Sequence, residues 1–432
     1  MPYDVTTSDY FRPERLEAEL KRVFSICHGC RLCFDLCPAF VSVFDRVDPC
    51  LAAGAVGIDA LTEADLAKVV SLCDDCKLCT VHCPNLPPHP HDVDFPRLML
   101  RGRAVLARQR GVDVRANVWA RPDVVGRLGS FFAPLANALA GAGVARFVVE
   151  KVAGVDREHQ PAPFAPLSFG RWFASARRSP APTAAKGAAG AAAKVALFPT
   201  CGVDYHEVGV GKALTQVLWH HGVEVAIPRV RCCGAPHLQV GDVEGAVAAA
   251  RKNVRALIGL VDQGYLIVVP DPTCSFTLKD DYPKLLATPE AARVAAHTLE
   301  ACEYLMRLHG EGKLRTDFVA GAGHLGYHAA SHLQAQKIGL KSRDLLALMP
   351  DTTVSVVESG RPAAPIWGMQ KAHVRMAERM ARGLCDDMLA TAATSYASDC
   401  PAARLAIARG TGRQARHPVE ILRDAYGLKA AD

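Results

Sequence analysis

Two cysteine runs near the N-terminus restrict the possible structure of this chain more than any other feature. Both match the pattern CxxCxxCxxxCP without deviation. The first run contains Cys27, Cys30, Cys33 and Cys37, and the second contains Cys73, Cys76, Cys79 and Cys83. Three thiolates at this spacing suit three corners of an iron–sulfur cubane, and the cysteine before proline ligates the other cluster. The pattern therefore predicts two [4Fe–4S] clusters with crossed ligands.

The crossing assigns each cysteine to one of two ligand sets. The first set is Cys27, Cys30, Cys33 and Cys83, and the second set is Cys73, Cys76, Cys79 and Cys37. Zinc is the alternative occupant, but zinc sites usually use paired CxxC or Cys/His modules. Two runs of four thiols, each ending in Cys-Pro, fit that pattern poorly. His28 and His82 lie inside the runs and are interpreted as bystanders rather than ligands.

Composition supports metal binding over disulfide bonding. Half of the 432 residues are hydrophobic, so the chain can bury a core without disulfides. Tight clusters among the sixteen cysteines are typical of metal sites in a chain of this length. Residues 1–10 have no apolar secretory region, which predicts a reducing, cytoplasmic location. The net charge of +6 has no dense basic stripe, so no nucleic-acid partner is expected.

Helical periodicity precedes each cysteine run. Leu16, Leu20, Val23 and Phe24 predict a helix over 13–26, with Pro13 in its first turn. A second helix is predicted over 62–72, with Thr62 as its N-cap. The N-terminal region therefore contains a helix-plus-cluster unit that repeats after about 46 residues, from Cys27 to Cys73.

The pattern changes after a stretch rich in alanine, proline and glycine, Ser179–Lys194, which is typical of a linker. Short apolar strands are predicted at Val195–Pro199, Val223–Pro228 and Leu266–Pro270. Helices are predicted near 211–221, 241–261 and 275–287. Strands that alternate with helices favour an α/β sheet with parallel pairs.

Four further cysteines form a second candidate site, which consists of Cys201, Cys232, Cys233 and Cys274. Gly234 follows the adjacent pair and permits a tight turn. Because the thiols follow predicted strands, we expect them to meet at the carboxyl edge of the sheet and to hold a third metal or cluster. Four buried cysteines without a metal are the alternative. Cys50, Cys302 and Cys385 stand alone and are interpreted as structural.

The spacing of these thiols is repeated later in the chain, mostly without thiols. Ser331, Gly360 and Cys400 stand at matching intervals, which predicts a second half-domain with the same layout. Only Cys400 survives as a thiol there.

These motifs together resemble the cysteine-rich CCG-domain iron–sulfur proteins. Within this family the likeness is greatest to a subunit of anaerobic glycerol-3-phosphate dehydrogenase, and it is more distant to a subunit of heterodisulfide reductase. The matching stretches are the two cysteine runs, Asp94–Met99, Phe198–Cys201, Cys232–Pro236, Pro272–Cys274, Tyr327–His328 and Asp399–Pro401. The resemblance implies an electron-transfer subunit between a flavin-containing dehydrogenase and quinone or another carrier.

The resemblance also implies a fold and a set of domains. The fold class is α+β multidomain, with an all-α ferredoxin-like domain that holds two clusters and a duplicated α/β domain of the CCG type. The expected units are residues 1–110, a helical connector and linker at 111–193, a first CCG half at 194–315 and a degenerate second half at 316–432.

Departures from the family pattern limit the possible chemistry. The third segment is Cys274-Ser-Phe-Thr277, so the fifth thiol of a complete CCG motif is missing. Ser331 and Gly360 stand where the second half would need thiols, and Arg361-Pro362 replaces the residues next to the expected cysteine, which excludes a second cluster of the CCG type there. The first half is still expected to hold one ordinary cluster or a structural metal.

Two further interpretations remain open at this point. The first is a thiol or disulfide reductase of the heterodisulfide type at the CCG cysteines, with His206 and His237 near them in sequence.

Gly209 and Gly211 begin a glycine motif that Leu214 leaves incomplete, so no nicotinamide or flavin site is expected in this chain.

The second interpretation is a membrane contact. The eighteen residues between Arg127 and Arg146 carry no charge. They predict a buried or partner-facing helix, with a membrane-surface segment or a span as alternatives. A membrane contact would place the protein at the inner face of the cytoplasmic membrane.

Overall fold

The computed structural model describes residues 3–52, 57–157, 161–176 and 193–430. The linker expected at Ser179–Lys194 lies outside these residues except for its last two positions. In the described residues up to 176, regular structure is helical. The helices are α1 (Pro13–Cys30), α2 (Pro38–Ala52), α3 (Glu63–Leu72), α4 (Leu78–His82), α5 (Phe95–Arg110), α6 (Val114–Trp119), α7 (Pro122–Phe131), α8 (Ala133–Gly141), α9 (Gly143–Ala153) and α10 (Phe169–Ala176).

Both helices predicted before the cysteine runs are confirmed. The first helix, α1, extends through Cys30, so its last turn carries the first two thiols of the run. The second helix, α3, begins after Thr62, whose side chain forms the expected capping box with Asp65. Apolar faces of α1, α2, α3 and α5 share one buried core that contains Phe24, Phe44 and Leu98.

The uncharged segment between Arg127 and Arg146 differs from its prediction. It is divided among α7, α8 and α9 rather than forming one helix, because Pro134 in the first turn of α8 cannot continue a preceding helix. Its large apolar side chains are mostly exposed, so a buried helix is also wrong. Among the residues described, no helix combines the length and the apolar character needed to cross a membrane.

A parallel four-stranded sheet begins at Lys194. Its strands are β1 (Lys194–Leu197), β2 (Glu224–Ala226), β3 (Leu266–Val269) and β4 (Thr298–Glu300), in the order β2-β1-β3-β4. The helices of this part are α11 (Cys201–Tyr205), α12 (Val208–His220), α13 (Ala235–Gln239), α14 (Val243–Asp262), α15 (Pro272–Phe276), α16 (Tyr282–Leu286), α17 (Pro289–Ala296) and α18 (Ala301–Gly310). The alternating pattern predicted from sequence is confirmed.

One predicted helix of this part is interrupted. The helix expected at 275–287 begins earlier, at Pro272, and is divided by a π-helical turn over Thr277–Asp281. A wider turn of this kind adds a residue without ending the helix, and it often marks a functional site. Here it lies directly after Cys274.

A second parallel sheet repeats the strand order of the first. Its strands are β5 (Gly323–His328), β6 (Thr352–Val357), β7 (Ser395–Ser398) and β8 (Ala415–Arg416), in the order β6-β5-β7-β8. Its helices are α19 (Ser331–Ala335), α20 (Lys341–Leu346), α21 (Pro365–Gly368), α22 (Val374–Ala390), α23 (Pro401–Thr411) and α24 (Pro418–Ala425).

The two sheets share a hydrophobic core. Buried residues of β1 and α12 lie in the same cluster as Leu325 and Tyr327 of β5. The late helix α24 also joins this core, since Val419 and Leu422 pack among the residues of α12. Gln216 of α12 donates a 2.7 Å hydrogen bond to the carbonyl of Lys429, just beyond α24.

Candidate metal centres

The two N-terminal cysteine runs turn in the same way. In each run the residue after the second cysteine has a left-handed backbone, with φ of 54° at Arg31 and 67° at Lys77. This conformation is unfavourable for residues other than glycine. It reverses the chain sharply, so the third cysteine lies back beside the first two.

The first predicted set is brought together. Burial and, to a smaller extent, the nearby thiols of Cys83, Cys33 and Cys30 together raise the pKa of Cys27 to about 12. The pKa of Cys33 is raised to about 11 by burial and then by Cys83 and Cys30. Cys83 comes from the other run, so the structure groups the cysteines in the crossed arrangement expected from the sequence.

The second predicted set is also brought together. Burial raises the pKa of Cys73 to about 12, with a further contribution from Cys37 of the first run. Burial raises the pKa of the Cys79 thiol well above its usual value, and the nearby thiols of Cys76, Cys37 and Cys73 contribute to this rise. These four cysteines line one largely enclosed cavity, which also borders Phe95. Soft thiolates around a single cavity are a donor set that suits an iron–sulfur cluster.

The two sets differ in their exposure to solvent. Asp74, Asp75 and Lys77, which lie between cysteines of the second run, are at most 5 % exposed. In the first run, Leu32 is 63 % exposed. The second set is therefore enclosed by protein, whereas the first set lies near the surface.

The second candidate site lies where the sequence predicted it. Cys201 follows β1, Cys232 and Cys233 lie in the loop after β2, and Cys274 lies on α15 after β3. Because the strands are parallel, these cysteines meet at the carboxyl edge of the sheet. Gly234 has φ of 98°, which confirms the tight turn expected after the adjacent pair.

The four thiols of this site form a continuous group. Cys233 lies between Cys232 and Cys274, and hydrogen bonds from both lower its pKa well below the usual range. The pKa of Cys232 is raised by its hydrogen bonds with Cys201 and Cys233. The hydroxyl of Thr277 also contacts Cys233. Thr277 is the position at which a complete CCG motif would have its fifth thiol.

Asn253 and Tyr282 hold the loop that carries the adjacent cysteines, and sequence analysis did not identify either residue. Both side chains are fully buried. The Asn253 amide accepts a 2.7 Å bond from the backbone N–H of Arg231 and donates to the carbonyl of Cys232 at 3.1 Å. The Tyr282 hydroxyl donates to the carbonyl of Cys233 at 2.9 Å. A polar residue on the otherwise apolar face of α14 was the available signal for Asn253.

The other cysteines and histidines of interest have separate surroundings. Cys50 and Cys385 donate to the backbone carbonyls of Arg46 and Ala406. Cys302 lies in the buried core beside Asp399. Cys400 follows β7 beside Asp271, the residue that caps α15.

The two histidines considered as proton carriers also have other partners. The Nδ1 atom of His206 lies 2.9 Å from the carbonyl of Pro163, and His237 lies 2.8 Å from a carboxylate oxygen of Asp242.

Comparisons with known proteins identify two segments of the chain. Residues 20–109 match the Fer4-like domain of citrate utilization protein B, and residues 195–279 match the cysteine-rich CCG domain. The chain thus contains a Fer4-like domain and a cysteine-rich CCG domain. Each matched segment contains one of the thiol constellations described above.

Two of the relatives of this chain are named as subunits of oxidoreductases. It is 26 % identical over 339 residues to a subunit of the anaerobic glycerol-3-phosphate dehydrogenase of Escherichia coli K12, covering 78 % of this chain and 83 % of the relative. It is 25 % identical over 233 residues to a subunit of the fumarate reductase (CoM/CoB) of Methanothermobacter marburgensis, covering 53 % and 44 %. It is also 32 % identical over 148 residues to lactate utilization protein A of Geobacillus thermodenitrificans, covering 32 % and 58 %.

Proposed function

We propose that this protein is an iron–sulfur electron-transfer subunit that passes electrons between a flavin-containing dehydrogenase and quinone or another carrier. The observation that carries the proposal is the crossed grouping of the eight N-terminal cysteines into two sets of four thiols. In the proposal, each set holds one [4Fe–4S] cluster. When bound, such a cluster takes up and releases one electron at a time.

The chain's own residues would position and enclose these groups. The left-handed turns at Arg31 and Lys77 orient the thiols, and burial around the second set excludes water. Since the first set lies near the surface, we propose that it faces the partner from which electrons enter or to which they leave.

One contact joins a residue of the second run to a residue near the CCG cysteines. The ammonium group of Lys77, next to Cys76, lies 5.2 Å from the centre of the Phe276 ring. Phe276 lies two residues after Cys274 on α15. This contact supports a route from the first set through the second set to the CCG site.

The CCG site is proposed as a third centre, either one cluster or a structural metal, held by Cys201, Cys232, Cys233 and Cys274. The shared strand order of the two sheets supports the proposal that the second half is a degenerate copy of the first. In the second half, Ser331 and Gly360 provide no thiols. A catalytic disulfide reductase is less well supported, because Cys232, Cys233 and Cys274 are each at most 9 % exposed.

Iron and acid-labile sulfide in anaerobically purified protein, with EPR spectra before and after dithionite, test the proposal. About eight irons and a signal of two interacting cubanes would support two N-terminal clusters alone. About twelve irons, with an extra signal lost in Cys232→Ser, would support the third centre. Bound zinc with negligible iron would contradict the proposed function.

A membrane-surface contact is a second candidate function of α7 and α8. Leu128, Phe131, Phe132 and Leu135 are 56 %, 74 %, 55 % and 59 % exposed and lie within the uncharged stretch. Exposed apolar side chains in such a group are typical of an interaction surface.

Binding to sedimented vesicles would test this contact. We expect the protein to bind vesicles that contain an anionic lipid and the double variant Phe131→Ser, Phe132→Ser to bind much less. Val319→Ser, which changes a residue that is 73 % exposed elsewhere, is the matched control. Equal binding by all three proteins, or by none, would contradict a membrane contact.

A further inference from the structure

A buried ion pair joins the degenerate half of the C-terminal region to the second cysteine set. Arg361 lies in the loop after β6 and is 5 % exposed, and its guanidinium group contacts the carboxylate of Asp74. Asp74 is 3 % exposed and lies between Cys73 and Cys76. The two partners are separated by 287 positions in sequence, so the pair exists only in the folded chain.

The loop that carries Arg361 is fixed in place. The Asp74 carboxylate also accepts the backbone N–H of Ala364 at 3.3 Å. The indole N–H of Trp367 donates a 2.7 Å bond to the carbonyl of Ser71, just before the second run. Gly360 has φ of 69°, and a side chain there would come within 2.8 Å of the backbone of Leu384. Several contacts therefore hold Arg361 against the second set.

Both charges of this pair act on the thiols of the second set. After burial, Arg361 has the largest effect on the pKa of Cys76 and lowers it, and Asp74 has the next largest effect and raises it. Arg361 also lowers the pKa of Cys37, and Asp74 also raises that of Cys73. Changing either charge alone should therefore change the electrostatic field at this set.

The position of Arg361 in the fold explains how this charge reaches the set. Strand β6 occupies the same place in its sheet as β2 does in the first sheet. The loop after β2 carries Cys232 and Cys233, whereas the loop after β6 carries Gly360 and Arg361. The second half thus has a cation where the first half has thiols.

We infer that Arg361 is a positioning residue that sets the reduction potential of the group held by Cys37, Cys73, Cys76 and Cys79. The inference rests on the proposed function, since it requires a cluster on this set. Reduction of a cluster adds one negative charge, supplied by the electron donor, and a fixed positive charge nearby stabilises the reduced form. In a buried site this attraction is weakly screened. Arg361 therefore raises the potential of the second site above the value that the site would have without this cation.

The test is an EPR-monitored redox titration of the anaerobically purified full chain and its variants. Arg361→Gln removes the cation, and we expect one of the two potentials to fall by about 59 mV or more, which is a tenfold weaker uptake of one electron. Asp74→Asn removes the anion and should shift the same potential upward. Arg361→Lys keeps the charge and should retain most of the wild-type value.

Two further variants separate electrostatics from folding. Arg361→Gln leaves Asp74 buried and unpaired, which is strongly destabilising. The double variant Arg361→Gln, Asp74→Asn leaves neither partner unpaired, and its potential should lie below that of Asp74→Asn, which keeps the cation. Arg404→Gln breaks an ion pair between buried Arg404 of the second half and partly exposed Glu207 of the first half, and should leave the potential of the second site unchanged.

Iron content distinguishes a failure of the proposed function from a failure of the inference about Arg361. A wild-type protein without iron would contradict the proposed function itself. In iron-loaded proteins, equal potentials in the wild type and Arg361→Gln, and in Asp74→Asn and the double variant, would overturn the inference alone. Loss of iron from every Arg361 variant, including Arg361→Lys, would also overturn it and assign the residue a structural role.

Discussion

At the scale of single residues, the crossed cysteines make the most direct prediction. Cys83→Ser and Cys30→Ser should abolish the same EPR signal, whereas Cys37→Ser should abolish the other signal together with Cys76→Ser. Each change removes one of four ligands, so iron should fall by about four atoms per chain. Cys50→Ser is the control and should keep all the iron, because its thiol donates to the backbone carbonyl of Arg46 and belongs to neither predicted ligand set. If Cys83→Ser removed the signal that Cys76→Ser removes, the crossing would be wrong.

His328 makes the stability of the fold depend on pH. Its side chain is 1 % exposed, one ring nitrogen lies 3.0 Å from the Ser398 hydroxyl, and burial lowers its pKa to about 4. The unfolded chain therefore binds a proton near pH 6.5 that the folded chain does not bind until about pH 4. Stability is full above pH 6.5 and decreases as the pH falls, by about 3 kcal/mol at pH 4 from this residue.

Urea unfolding at several pH values between 4 and 7 measures this dependence. His328→Gln has no proton to bind in this range, so its free energy of unfolding should decrease less steeply toward acid pH. His297→Gln changes a histidine on the protein surface and serves as the control. Identical slopes in the wild type and His328→Gln would show that His328 is not neutral and buried.

At the scale of elements, the link between α14 and the loop of the adjacent cysteines is a predicted weak point. Asn253→Ala removes the amide that bonds to Arg231 and Cys232 and leaves these backbone groups buried without partners. Because each unpaired buried group is costly, we expect a loss of about 3 kcal/mol in the free energy of unfolding. The thiols of Cys232 and Cys233 should also react faster with thiol reagents.

Asn137→Ala is the matched control for this change. Asn137 bonds to the backbone of Phe164 through the same two amide atoms, but it is only partly buried and lies on α8. We expect a smaller loss of stability and no change in the reactivity of Cys232. A similar loss in both variants would indicate that the CCG loop does not depend on Asn253.

Helices and strands were predictable from sequence where residues close together in the chain carry the signal. Helices α1 and α3 follow from apolar spacing and capping, and β1, β2 and β3 follow from short apolar runs between breakers. The π-helical turn after Cys274 was missed, because residues 275–287 have a helical composition throughout and the turn depends on packing. The exposure of α7 and α8 rules out the buried helix, whereas the partner-facing and membrane-surface alternatives stay predictions, because apolar composition alone does not distinguish burial from an interaction surface.

The candidate sites were predictable to the extent that ligand spacing carries information. All twelve cysteines lie where their motifs indicated, but the residues that fix them do not belong to any motif. Asn253 and Arg361 reach the candidate sites only in the folded chain, where distant segments meet. The spacing of the cysteines in the sequence gives no information about them. Their chemistry is ordinary, so the sequence alone could not distinguish them from other polar residues.

At the scale of the whole molecule, the helical N-terminal region and the first sheet meet along α5. Leu100 of α5 is buried in the core that contains Cys232, Cys233 and the apolar face of α14. Gly241, between α13 and α14, has φ of 81° and lies so close to α5 that an added Cβ would come within 2.5 Å of the carbonyl oxygen of Arg103. The two parts are therefore expected to unfold together.

Gly241→Ala tests this contact. The added methyl group strains the backbone and clashes with α5, and we expect a free energy of unfolding about 2 kcal/mol below that of Gly264→Ala. Gly264 is the control, because it has a similar φ of 84° but open space around it. Thermal unfolding should be followed both by far-UV circular dichroism and by the visible absorbance of the N-terminal sites. Separate transitions in the wild type would contradict a cooperative molecule.

The position of α24 has a consequence for how the protein is made. This helix completes the core around α12, yet all of the second sheet is synthesised between the two helices. The N-terminal helices can fold as they leave the ribosome, because chains fold from the N-terminus during synthesis. The core on the α12 side of the first sheet cannot close until translation has passed α24. The core on the other side of this sheet contains Cys232, Cys233 and Cys274, and its buried members end at Val294. We therefore expect the CCG cysteines to come together on the nascent chain while the α12 side of the same sheet is still open.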